Sequence, residues 1–131
     1  MPKRAALSKA EMEVAHIVWE RGDATVRQVL EALPTRRKID YKTVQTYLRR
    51  LESKGYLTSK RDGRSLVYSA SVRPRQVIRE TVSDFVGRLF GGESLPLVEH
   101  LIREDGLTGE EIRKLRELLD ELEASNNAPP R

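Results

Sequence analysis

The stretch IDYKTVQTYLRRLESKGYLTSKRDGRSLVYSA, Ile39 to Ala70, combines a helical period with an alternating one, and the switch between them decides how the chain is read. In its first half Val44, Tyr47, Leu48 and Leu51 recur at three and four residues, the spacing of one apolar stripe on an α-helix. Asp40 is placed to cap that helix, and Gly55 to close it just past its end, where a left-handed backbone is needed. After Gly55, two runs of strand-forming residues, Tyr56 to Arg61 and Ser65 to Ala70, flank Asp62-Gly63, a dipeptide that signals a tight hairpin.

At about 100° per residue, Lys42, Thr46 and Arg49 lie opposite the Val44/Leu48/Leu51 stripe, with Thr43, Gln45 and Arg50 beside them. This outer face carries donors and no carboxylate. A helix fits the major groove of B-DNA, where Arg or Lys pairs with guanine, Gln with adenine, and Thr with a thymine methyl or a phosphate. The hairpin adds Lys60, Arg61 and Arg64 near its tip. These nine residues are the expected DNA-contacting set, and double-stranded DNA is the expected partner.

Upstream, Ser8 and Glu11 have the spacing of a capping box, and Ala10, Val14, Ile17 and Val18 predict a first helix to about Glu20, stopped by Gly22. Thr25 with Gln28 is a second capping box, opening a short helix striped by Val26, Val29, Leu30 and Leu33 and ended by Pro34. The order is helix, helix, helix, hairpin. The link PTRRKI, Pro34 to Ile39, is longer than the turn of the simplest helix-turn-helix motifs, so a winged helix-turn-helix is expected over residues 1–71, with the hairpin as the wing. The run Thr35 to Lys38 either contacts phosphate or is merely solvated.

Downstream, Val77, Ile78, Val82, Phe85, Val86 and Leu89 stripe a long fourth helix that ends at Gly91-Gly92. Leu95, Val98, Leu101 and Ile102 stripe a fifth. Thr108 and Glu111 form a third capping box, after which Ile112, Leu115, Leu119 and Leu122 repeat at three and four, a helix-packing seam. Three amphipathic helices in about sixty residues make a thin core, so residues 72–125 are expected to share it with a second copy in a homodimer. Val82, Phe85, Leu89, Leu101, Ile112, Leu115, Leu119 and Leu122 are the expected dimerisation residues. The alternative is a monomer in which these helices fold back on the winged part. The end of the chain, 126–131, is expected to be disordered. The fold class is mainly α with a small β-hairpin.

Charge follows the same division. Residues 1–71 hold 15 Lys/Arg against 8 Asp/Glu, a balance of +7, and residues 72–131 hold 9 against 12, a balance of −3. A basic half meeting a polyanion and an acidic half meeting protein would produce that asymmetry. No apolar run nears the roughly 18 residues of a membrane helix, and the start has no apolar stretch of a secretory signal, so a cytoplasmic protein without membrane insertion is expected. The 131 residues include no Cys, which removes disulfides and thiolate chemistry together. His16 and His100 lack the neighbours of a metal site. Trp19 reads as core or interface. GGES and GLTGEE lack phosphate-loop spacing. No nucleophile is paired with a base. Neither a cofactor nor an enzymatic activity is expected.

YKTVQTYLRRLESKGYL followed by KRDGRSLVYSA, with LSKAEMEVAHIVWERG upstream and FVGRLFGG downstream, resembles the BlaI/MecI group of penicillinase-type repressors from about Leu7 to Leu122. The resemblance implies a winged helix-turn-helix, a dimerising C-terminal region, and repression from inverted-repeat operators. It places the positions matching Lys42, Thr43, Thr46 and Arg50 on a DNA-facing recognition helix. It further implies release through a membrane-linked sensor protease, with SLPLVEHLIREDGL aligning the cleaved bond to His100-Leu101, where the relatives have Asn-Phe. The copper-responsive sister repressors carry Cys-x-Cys pairs, and their sensing chemistry is excluded here. Two other readings stay open from the residues themselves: a winged-helix protein-interaction module, and a repressor released by a small molecule.

Overall fold

Ser8, Thr25 and Thr108 each accept a hydrogen bond from the backbone N–H three residues on, and Glu11, Gln28 and Glu111 each take one back from the capping residue's own N–H. These reciprocal pairs satisfy donors that a helix start leaves orphaned. They begin α1 (Lys9–Arg21), α2 (Val26–Ala32) and the last helix of the chain. The structure, a computed structural model, describes residues 4–34 and 38–127. Two compact units divide it, Met1–Val82 and Ser83–Arg131.

In the first unit, α3 (Tyr41–Ser53) starts at Asp40, whose Oδ1 accepts the Thr43 N–H at 2.8 Å. It ends in a left-handed turn at Gly55, φ 90°, where the Tyr56 N–H reaches back to the Leu51 carbonyl and the Gly55 N–H to that of Glu52. This closure needs a residue without a Cβ penalty at positive φ. Val44, Leu48 and Leu51 are fully buried against Val14, Val18 and Val29 of the first two helices. Burying a Leu or Val side chain contributes about 1.5–3 kcal/mol, so these three positions fix how α3 is rotated about its axis.

The strands are β1 (Asp23–Thr25), β2 (Leu57–Asp62) and β3 (Ser65–Ala70), in the antiparallel order β1-β3-β2. Sequence reading gave only the hairpin; β1 is an addition, its three residues pairing with Val67, Tyr68 and Ser69. Asp62 pairs with Ser65, so the loop is Gly63-Arg64, one residue later than the expected Asp62-Gly63. Only the first loop position has positive φ, Gly63 at 63°, which is what a type II′ turn requires. Ala10 of the expected first stripe is half-buried, while Ala15 and the charged Glu11 are buried. Trp19 packs on the core, as one of its two readings had it, and its Nε1 has no hydrogen-bond partner among the described residues.

Glu11 is 2% exposed. Its Oε1 accepts the Ser8 N–H at 2.8 Å and the Lys54 Nζ at 2.7 Å, and Lys54 also donates to the Ala6 carbonyl. The start of α1 is thereby tied to the end of α3. Burial works against the Glu11 charge, but the hydrogen bond from Lys54 and those from Ser8 outweigh it and hold the carboxyl below its ordinary value. A carboxyl lowered in the folded state contributes stability that is complete above its unfolded pKa and is lost as pH falls through the folded one. Glu11→Gln is therefore expected to lower stability at pH 7 by about 1–3 kcal/mol, with Lys54 left uncompensated. Denaturant unfolding at pH 7 and pH 3 checks this: the gap between wild type and variant should narrow at the lower pH, and an equal gap at both would exclude the charge as its cause.

α4 (Pro74–Leu89) begins in the first unit, where Val77 joins the core and Glu80 pairs with Arg4 at 2.7 Å, and continues into the second. The second unit adds α5 (Ser94–His100), a π-helical turn (Leu101–Asp105) where an unbroken helix was expected, and α6 (Gly109–Asn126). α6 runs through Asn126, into the stretch expected to be disordered; residues 128–131 lie outside the described ones. The Phe85 and Phe90 rings meet at 6.1 Å, tilted by 58°. Among the described residues of this unit, Val86 is the single buried hydrophobic, while Phe85, Leu89, Leu95, Leu119 and Leu122 are 48–66% exposed.

Candidate nucleic-acid interface

The rotation of α3 decides which of its side chains reach solvent. Lys42, Thr46, Arg49 and Arg50 are exposed, and Thr43 and Gln45 are half-buried at the margins of the apolar stripe. Lys60, Arg61 and Arg64 are exposed on the hairpin. The Thr46 hydroxyl donates to the Lys42 carbonyl at 3.0 Å, so its proton is taken and its lone pairs and methyl group are what it offers outward. Hydrogen bonds from Thr43 hold the Asp40 carboxyl below its usual range and keep it ionised at the N-terminal end of α3.

Not all nine expected residues come together. Gln45 and Arg49 from α3, with Arg61 and Arg64 from the hairpin, line one cleft of about 430 Å³; Lys42, Thr43, Thr46, Arg50 and Lys60 lie outside it. At about 100° per residue, Tyr41, Gln45 and Arg49 share the flank of α3 that borders the cleft, Lys42 and Thr46 the middle of the outer face, and Thr43 and Arg50 the other flank. The cleft's remaining lining includes Thr25, Arg27, Tyr41, Ser65 and Leu66, and no Asp or Glu belongs to it. Arg27 and Tyr41 were missed from sequence. Their signal was an Arg beside the apolar Val26 and Val29, and an aromatic residue in the first turn of a helix capped by Asp40. Of the run Thr35 to Lys38, the first three residues lie outside the described ones.

His16 pairs with Glu20 at 3.0 Å on the exposed side of α1, and His100 ends α5. His100 and Leu101 are exposed and flank the junction between α5 and the π-helical turn. Among the described residues no three His, Asp or Glu side chains gather as a metal ion would need, and no helix is long and apolar enough to cross a membrane.

Three helices with a polar outer face on the third, a strand between the first two, and a basic hairpin that shares a sheet with that strand define a winged helix-turn-helix. Comparison with known proteins narrows the class. The model of the penicillinase repressor family matches residues 7–121, and the chain belongs to that family. The penicillinase repressor of Bacillus licheniformis is 31% identical over 121 residues, covering 92% of this chain and 94% of its own, and the methicillin resistance regulatory protein MecI of Mammaliicoccus sciuri is 28% identical, covering 90% and 96%. Among solved structures, the DNA-binding domain of the repressor BlaI superposes with a TM-score of 0.50 at 32% identity, covering 56% of this chain and 90% of that one.

Proposed function

We propose that the protein is a transcriptional repressor that binds an inverted-repeat operator as a homodimer, with α3 in the major groove, the hairpin on the flanking backbone, and residues 83–127 forming the dimer. The observation that carries this reading is the outer face of α3, which presents cations, hydroxyl groups and an amide but no carboxylate and borders a cleft with four arginines and no carboxylate. A surface built to bind protein would instead present aromatic or aliphatic anchors at such positions. The relatives are penicillinase and methicillin resistance regulators, and the BlaI domain is a DNA-binding one, which supports the same reading. The second unit supports the dimer, because its apolar side chains remain largely exposed in the single chain and a helical unit with one buried hydrophobic among its described residues needs a partner surface. On this reading the protein works in the cytoplasm and acts by binding rather than by chemistry.

Gel shift or fluorescence anisotropy against the operator of the protein's own operon and against random duplex tests it. Arg49→Ala, placed to read a base edge, is expected to weaken operator binding roughly ten- to a hundredfold and random binding far less. Arg64→Ala, at the hairpin tip, should weaken both alike. Equal affinity of the wild type for the two duplexes would sink the repressor reading.

A further inference from the structure

Arg27 lies on α2, outside the face that reading α3 alone picks out. Its guanidinium carbon stands 5.5 Å from the centre of the Tyr41 ring, the first residue of α3. Both side chains are exposed, and both line the cleft with Arg49, Arg61 and Arg64. Among the described residues no carboxylate pairs with Arg27. Four guanidinium groups around one concavity repel each other, and among the described residues no carboxylate belongs to the lining to offset that repulsion.

We infer that this cleft is a seat for a backbone phosphodiester of the operator, in which Arg27, levelled by the face of Tyr41, is a phosphate ligand opposite Arg61 and Arg64 of the hairpin. The inference rests on the operator-binding reading and extends it to residues on the supporting helix. Two observations set phosphate apart from base as the ligand. Arg27 sits on the helix that crosses the backbone in this class of fold, not on the one that enters the groove. The cleft is walled by three separate segments, the start of α2, the flank of α3 and the hairpin, so that a strand running between recognition helix and hairpin would pass through it. Its guanidiniums fit a phosphate, since their planar fork matches two of its oxygens at once, as it would a guanine edge. Tyr41 supplies orientation: a guanidinium held over an aromatic face loses less freedom on binding, and the stacking itself contributes without consuming N–H donors.

Titration of wild type, Arg27→Ala, Arg27→Lys, Tyr41→Ala and Tyr41→Phe with operator and random duplex over a range of salt decides it. Arg27→Ala is expected to weaken both duplexes alike, by about tenfold or more, and to reduce the slope of log affinity against log salt by about two per dimer, one phosphate in each half. Arg27→Lys should restore the slope but only part of the affinity, and Tyr41→Ala should cost a few-fold at unchanged slope, with Tyr41→Phe like wild type. Far-ultraviolet circular dichroism, expected to be the same for all five, keeps a folding defect from imitating the result. An unchanged slope in Arg27→Ala, or a loss confined to the operator, overturns the phosphate seat while leaving the repressor reading in place. A wild type that shows no operator preference, with the Arg27→Ala slope change still present on random duplex, overturns the repressor reading and keeps the seat.

Discussion

Operator affinity is expected to fall roughly a thousandfold or more as salt rises from about 50 to about 200 mM. Each DNA phosphate neutralised by the protein releases condensed counterions, so log affinity declines linearly with log salt at about 0.9 per phosphate contact. Each protomer carries exposed Lys42, Arg49, Arg50, Lys60, Arg61 and Arg64 on α3 and the hairpin, with Arg27 beside them. A dimer that places about six to ten of these cations on phosphates gives a slope of about −5 to −9. Anisotropy titrations at four or five salt concentrations measure it. A slope near zero would show that this face does not lie on the phosphate backbone.

The second large effect concerns assembly. Leu119→Asp combined with Leu122→Asp is expected to yield a folded monomer that binds the operator about a hundredfold or more weakly. Both side chains are more than half exposed in the single chain, so the carboxylates cost its own helices little, but at a packed seam between copies they would be buried without partners. Two half-sites bound by unlinked monomers lose the effective concentration that the dimer supplies, while α3 is untouched. Light scattering and circular dichroism on the same sample separate the outcomes: a dimeric double variant removes α6 from the interface. Cleavage at His100-Leu101 would act on the same surface by detaching residues 101–131. The bond is exposed at an α-to-π junction, a rare backbone form that concentrates at functional sites, and local opening there is what a protease requires. Mass spectrometry of the protein from induced cells should find a fragment ending at His100; an intact chain with target genes fully expressed excludes this route of release.

Much of this was legible in the sequence because its signals are local. The two members of each capping pair, at Ser8, Thr25 and Thr108, are three residues apart, and the α3 stripe needs only a 3.6-residue period, so helix starts and the buried side of α3 could be read directly. β1 could not. Its three residues show no alternation, and they become a strand only because β3, more than forty residues away, offers a free edge. The hairpin turn shifted by one residue because Gly63, not Asp62, had to occupy the position of positive φ. The cleft was half legible: Gln45, Arg49, Arg61 and Arg64 follow from periodicity and the hairpin signal, whereas Arg27 and Tyr41 are brought together by the packing of two helices, which no single period encodes. In the second unit the apolar positions could be read, but not the break of helix geometry at Leu101.

The order of the sheet gives the hairpin charges a second duty. β2 is an outer strand, and an outer strand presents unpaired amide and carbonyl groups that another chain's strand can extend into an aggregate. Lys60 and Arg61 stand on that edge, and cations there repel an identical strand approaching it. The charges proposed to meet nucleic acid are thus also gatekeepers of solubility while the protein is off its operator. Neutralising them would trade one property against the other, and a wing variant that loses DNA binding must be shown to be dispersed before the loss is read as a missing contact.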